Sequence, residues 1–171
     1  SEIWRSARYI SELVDDILEL ARVDALRMPV TREMSDLTAV VAETVELADR
    51  LTDGKAVSLQ LELPDDLPPV YLDRTRIRQV LLNLLTNAVR FTDDGTVTIS
   101  AVRRDDEIQV TVSDTGVGIA EHELEMVFRE FHRAEDPRQR GGKGLGLAIA
   151  RRFVEGRGRA MSKTTVAQRT A

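Results

Sequence analysis

Residues 78–92 read RQVLLNLLTNAVRFT. With Ile77 just ahead of them, Val80, Leu81, Leu84, Leu85 and Ala88 recur at helical spacing. That pattern predicts a helix over 74–91 with one buried stripe and Asp73 as its cap. At about 100° per residue, Asn83, Asn87 and Arg90 fall together on the flank of the stripe. Asparagine competes for nearby backbone groups inside a helix and costs about half a kcal/mol relative to alanine. Two of them one turn apart have one of two uses. Either they bond a neighbouring loop, or their amides and the guanidinium converge on a ligand. An amide oxygen suits Mg²⁺ and an arginine suits a phosphate.

Upstream, Ile3, Tyr9, Ile10, Leu13, Ile17, Leu20 and Ala21 form a near-heptad stripe over 3–26, one long amphipathic helix. It either folds back on its own domain or makes half of a helical hairpin that dimerises. Met28-Pro29 ends it and 29–35 reads as a linker. Asp36 caps a second helix with Leu37, Val40, Val41, Val45, Ala48 and Leu51 on one face, stopped by Gly54. VSLQLEL (57–63) alternates like a half-buried strand, PDDLPP (64–69) turns the chain, and Val70 to Leu72 is a short extended segment. Downstream, Asp94-Gly95 leads into TVTISAVRR (96–104), and Asp105-Asp106 turns it back through EIQVTVS (107–113), an antiparallel hairpin. A last helix is expected over about 145–155. Strands on one side and helices on the other give an α+β fold, a two-layer α/β sandwich with a mixed or antiparallel sheet covered on one face.

Two glycine clusters and the segment between them carry the remaining chemistry. DTGVGIA places Asp114 at a strand end, followed by Gly116 and Gly118, where backbone can approach a ligand closely. A carboxylate fixed there accepts a hydrogen bond from an exocyclic amine, although a plain tight turn has the same pattern. GGKGLGLAIARR (141–152) opens a helix with glycines, a setting for phosphate. It is not a P-loop, since Gly144 follows Lys143 where Ser or Thr is needed, and it lacks the dinucleotide fingerprint. Between them, VFREFHRAEDPRQR holds Phe128 and Phe131 as anchors and Arg133, Arg138 and Arg140 as positive charge. It reads as a lid over a charged ligand or as a solvated loop. His122 and His132 show no metal-ligand spacing.

Composition narrows the classes. The 171 residues are 42% hydrophobic and 31% charged, in the range of one ordinary domain with an appendage. No stretch approaches the roughly 20 apolar residues of a membrane helix, and no signal-peptide pattern opens the chain. The absence of cysteine excludes disulfides and thiolate metal sites and fits a reducing compartment. A net charge of −5 leaves no basic footprint for nucleic acid.

Taken in order, the four motifs resemble those of the ATP-binding catalytic domain of sensor histidine kinases, the Bergerat fold. RQVLLNLLTNAVRFT resembles that family's asparagine box and DTGVGIA its first glycine box. VFREFHR resembles the phenylalanine box, and GGKGLGLAIARRFVEG the second glycine box. The resemblance implies ATP and Mg²⁺ as ligands. It implies Asn87 as the metal ligand, with Asn83 assisting, and Arg90 on the phosphates. Phe91, Gly116, Gly118 and Ile119 would shape the adenine pocket under Asp114. Arg133 and Arg138 would be lid arginines, and Gly142, Gly144 and Gly146 the lid hinge, with Leu145 against the nucleotide. The ATPase relatives carry a glutamate on the asparagine-box helix; asparagine at 83 favours a kinase. The expected division is 1–28 as part of a dimerisation hairpin, 29–35 as linker and 36–171 as catalytic domain.

Expected partners are a histidine-bearing hairpin, upstream or on another chain, a response regulator, and a second subunit through the N-terminal helix in a homodimer or heterodimer. The placement implied is cytoplasmic, with the parent protein free to be membrane-attached. Two departures shape the expectation. The N-terminal segment resembles only the second hairpin helix, and neither histidine has a phosphoacceptor context. After Gly158 the chain reads RAMSKTTVAQRTA, which lacks strand alternation, so the last two strands of the family sheet are expected to be missing or replaced. A non-catalytic ATP-binding or dimerisation module, and a serine kinase of the anti-sigma type, are the alternative readings.

Overall fold

The structure is a computed structural model that describes residues 14, 30–105, 107–120, 123, 126–129, 146–155 and 164–170. Apart from Val14, the expected N-terminal helix lies outside the described residues.

Helix α1 spans Leu37–Asp49, and its cap is Asp36, whose Oδ1 accepts from the backbone N–H of Thr38 at 2.8 Å and Ala39 at 3.3 Å. Leu37, Val40, Val41, Thr44 and Ala48 are its buried face. Thr44 is accommodated there because its hydroxyl donates to the Val40 carbonyl at 2.6 Å. Leu51 departs from the expected stripe. The chain tightens into a 3₁₀ turn at Arg50–Thr52, which rotates Leu51 outward to 43% exposure.

Helix α2 spans Arg74–Phe91 and buries Ile77, Val80, Leu81, Leu84, Leu85 and Ala88, the expected stripe, together with Val89 and Arg76. Its Asp73 cap does more than satisfy the first turn. Oδ1 accepts from Arg76 N–H at 3.1 Å and Oδ2 from Thr31 N–H at 3.0 Å. The Arg76 guanidinium nitrogen lies 3.6 Å from Oδ2, with both side chains about nine-tenths buried, and its other side faces the Phe153 ring at 5.4 Å. One acid thus joins the segment that leads into Glu33–Ser35, the start of α2 and, through Arg76, the helix that carries Phe153. Asp73→Asn removes the charge and one acceptor, and we expect about 2 kcal/mol of lost stability. A lower urea midpoint at unchanged m-value checks it.

The main sheet has four strands, β2 (Ala56–Glu62), β4 (Asp94–Arg104), β5 (Glu107–Asp114) and β6 (Thr164–Thr170), hydrogen-bonded in that order. β2 runs parallel to β4, β4 antiparallel to β5, and β5 parallel to β6. Asp105, at φ 50°, turns β4 back into β5. Period-two alternation puts Val97, Ile99 and Ala101 of β4 on one face with Ile108, Val110 and Val112 of β5, all buried. Thr98, Ser100, Thr111 and Ser113 take the other face. The apolar face packs on α1, α2 and helix α3 (Gly146–Glu155), whose Ala148, Ile149, Ala150 and Phe153 are buried. Each fully buried Leu or Ile there contributes about 1.5–3 kcal/mol.

Two expectations are corrected. The last three linker residues, Glu33–Ser35, form strand β1, antiparallel to β3 (Val70–Leu72). Three-residue strands carry no readable alternation, so only their pairing reveals them. The C-terminal region also supplies a strand where none was expected, with β6 aligned from Ile108↔Thr164 to Asp114↔Thr170. At a sheet edge the backbone ladder and β-branched residues such as Thr164, Thr165 and Val166 suffice without an apolar alternation.

Candidate functional site

The end of α2 is where the separate motifs meet. Asn83 and Asn87 are half-buried on its flank, Phe91 is half-buried and Arg90 is exposed, its guanidinium 6.0 Å from the Phe91 ring centroid. The Asn83 amide donates to the Gly146 carbonyl at 3.1 Å. The loop-bonding use of an asparagine therefore holds for the Asn83 NH₂, and the loop end it holds is the start of α3, where the second glycine cluster enters the helix.

Asp114 is placed by the strand that carries it. Ile108, Val110, Val112 and Asp114 are successive core-facing positions of β5, so a carboxylate ends an apolar row. It stands opposite Val97 and is 3% exposed. Burying a carboxylate is costly without hydrogen bonds. One of them comes from the Gly116 N–H to Oδ1 at 3.0 Å, which curls the DTGVG loop back on its own acid.

The same loop is fastened to α2. The Val117 N–H donates to the Phe91 carbonyl at 3.2 Å, and Thr115 N–H to the Thr96 carbonyl at 3.1 Å. Thr115 Oγ1 accepts from Thr96 N–H at 3.0 Å. Gly116 lies so close to the end of α2 that a Cβ there would collide with the Phe91 carbonyl oxygen and sit 2.9 Å from Asp114 Oδ1. Gly118 holds φ +76°, a left-handed conformation that costs a β-carbon-bearing residue about 1–2 kcal/mol. Ile119 follows, half-buried.

Sequence reading misses Lys55. Its ammonium donates to the carbonyls of Val89 at 2.8 Å, Arg90 at 3.0 Å and Thr92 at 3.1 Å. Thr92 Oγ1 donates to Ala88 O at 2.8 Å, and Phe91 O is the acceptor for Val117. The carbonyls left over at the end of α2 are thus satisfied one by one. Lys55 and these acceptors are 34–37 residues apart, and no local pattern links them.

Arg133, Arg138, Gly142, Gly144 and Leu145, like His122 and His132, lie outside the described residues. Gly146 is described, as the first residue of α3. Phe128 is half-buried with the Arg151 guanidinium 5.7 Å from its ring. Among the described residues no group of three or more His, Cys, Asp or Glu gathers as a metal site. The donors on the α2 flank are neutral amides. Such a set fits Mg²⁺, which takes one or two protein oxygens and completes its shell with water and substrate phosphate. Among the described residues no helix is long and apolar enough to cross a membrane.

A family model described as histidine kinase-, DNA gyrase B-, and HSP90-like ATPase matches residues 72–170, which hold α2, the DTGVG loop and α3. The chain belongs to that family. Over 156 residues this ATPase-family chain is 35% identical to the aerobic respiration control sensor protein ArcB homolog of Haemophilus influenzae, covering 90% of this chain and 48% of that protein. It is 36% identical over 149 residues to the adaptive-response sensory kinase SasA of a Synechococcus species, covering 86% of this chain and 40% of that one. Full-length ShkA, solved in complex with AMPPNP, superposes with a TM-score of 0.77 at 31% identity, over 87% of this chain and 31% of ShkA. The Acinetobacter baumannii histidine kinase AdeS gives 0.72 at 28% identity, over 90% of this chain and 70% of AdeS. The fold is that of the histidine kinase ATP-binding catalytic domain. The chain spans less than half the length of the two sensor proteins it matches.

Proposed function

We propose that the chain binds Mg-ATP on the flank of α2 and transfers the γ-phosphoryl group to a histidine on a helical hairpin, as part of a two-component kinase. The observation that carries this reading is Asp114, a buried acid ending the core-facing row of β5 beside a loop fastened to α2. A carboxylate is an acceptor and so suits the exocyclic amine of adenine. Phe91, Gly116, Gly118 and Ile119 shape the walls around the base. Asn87 contributes its amide oxygen to Mg²⁺, and Asn83 assists while its NH₂ holds Gly146. When bound, the metal offsets phosphate charge. Arg90 attracts the phosphates, and Arg133 and Arg138 do so from the lid, whose hinge is Gly142, Gly144 and Gly146 with Leu145 on the nucleotide.

The reaction asks little covalent chemistry of these side chains. An imidazole nitrogen lone pair forms the N–P bond as the bond from the γ-phosphorus to its bridging oxygen breaks, and that electron pair leaves on ADP. Catalysis is then positioning and charge neutralisation. The histidine belongs to a hairpin in the same polypeptide or in another. Residues 1–28 supply part of the dimerisation helices, and the residues between them and β1 the connection. A response regulator takes the phosphoryl group next, in the cytoplasm where ATP is plentiful.

Labelled ATP tests the reading. Label is expected on a supplied dimerisation hairpin that carries the histidine; ATP binding without transfer would favour a non-catalytic module, and transfer to an anti-sigma antagonist a serine kinase. Asn87→Ala is expected to raise the Mg-ATP dissociation constant about tenfold. In calorimetric titrations the loss should vanish when EDTA replaces Mg²⁺; an equal loss in both conditions removes the metal role.

A further inference from the structure

We infer that Lys55 is a positioning residue of the nucleotide site, acting through the backbone that carries Arg90 and Phe91; the inference rests on the ATP-binding reading above. All three ammonium donors are used on carbonyls within one turn, those of Val89, Arg90 and Thr92. A cation at a helix C-terminus also complements the helix dipole, and these bonds are charge-assisted. Asp93, whose carboxylate is 3.6 Å from the ammonium, is 93% exposed and adds little.

The position of this clamp gives it a functional reach that an ordinary helix cap lacks. The turn it holds is the turn to which the DTGVG loop is tied, through Val117 N–H on Phe91 O. Gly116 is packed against that same carbonyl, so a shift of Phe91 displaces the loop that curls around Asp114. Lys55 comes from the connection between α1 and β2, and it is 30% exposed at the side chain. It thereby ties the α1–β2 connection to the end of α2 and, through Phe91, to the DTGVG loop, and acts on the nucleotide site without being part of it. Without the ammonium, the three carbonyls turn to water, the last turn of α2 frays, and Arg90, Phe91 and the loop lose their common frame.

The full chain, titrated calorimetrically with Mg-ATP, tests this. Lys55→Met is expected to raise the dissociation constant and KM for ATP about fivefold, with kcat for hairpin phosphorylation at saturating ATP within about twofold of wild type. Lys55→Arg, which keeps charge and several donors, is expected to restore binding to within about twofold. Hydrogen exchange of the Val117 amide should quicken in Lys55→Met and not in Lys55→Arg. If Lys55→Met does not fold, Lys55→Gln replaces it with the same readouts. Reduced stability with unchanged ATP affinity and an unchanged Val117 amide would overturn the inference and leave Lys55 as a stabilising cap alone. Wild-type protein that binds no Mg-ATP would overturn the nucleotide reading and this inference together, so the two failures are told apart.

Discussion

Asp114→Asn is expected to weaken Mg-ATP binding about 100-fold while leaving the fold in place. The substitution changes one atom of a side chain that is 3% exposed, so its volume among Val97, Val112 and the helices is preserved. The remaining oxygen can still accept the Gly116 N–H, now made at 3.0 Å, and the loop keeps its curl. The NH₂ that replaces the second oxygen is a donor, and it would meet the donating amine of adenine. Loss of a charge-assisted bond and the donor–donor conflict together remove about 3 kcal/mol of binding, roughly 100-fold. Calorimetric titration of the variant checks it, beside a thermal melt that should move by only a few degrees. An affinity within about threefold of wild type would remove Asp114 from the site.

Gly116→Ala has a different origin and reaches both stability and binding. A methyl group there collides with the Phe91 carbonyl oxygen and comes within 2.9 Å of both the Phe91 carbonyl carbon and Asp114 Oδ1. None of these atoms is the free end of a flexible chain. The helix end is pinned by Lys55, and Asp114 is held in the sheet. The loop must therefore lift away, which breaks the Val117 bond to Phe91 and the Gly116 bond to Asp114. Overpacking with the loss of these contacts is expected to cost about 2–3 kcal/mol, and nucleotide binding should fall below detection. Chemical denaturation and the ATP titration measure the two effects separately. Wild-type values in both would mean the loop has slack that these distances deny it.

Much of this frame is written in local patterns. Six apolar residues of α2 recur at helical spacing and are all buried, and Asp36 and Asp73 cap the helices they precede. The β4–β5 hairpin follows from alternation and a two-residue turn. Asp114 is legible twice over, as a strand-end acid before glycines and as the next core-facing position after Val112. What escapes the sequence is what depends on distant partners. β1 is three residues whose mate, β3, lies about as far along the chain as Lys55 does from Val89. Leu51 belongs to the right stripe but is carried out of it by a 3₁₀ turn. β6 hides because an edge strand needs a ladder more than an apolar face. Arg133, Arg138, Gly142, Gly144 and Leu145 remain readings from resemblance.

Specificity for the base is the sharpest consequence of a buried acceptor at residue 114. Adenine offers an amine at its 6-position; guanine offers a carbonyl there, which would face the carboxylate acceptor to acceptor. Side-by-side titrations of the full chain with Mg-ATP and Mg-GTP decide the matter. Binding of ATP at least about 100-fold tighter than GTP is the expected result. Equal affinities, or no binding of either, would contradict the assignment of this cleft to an adenine nucleotide.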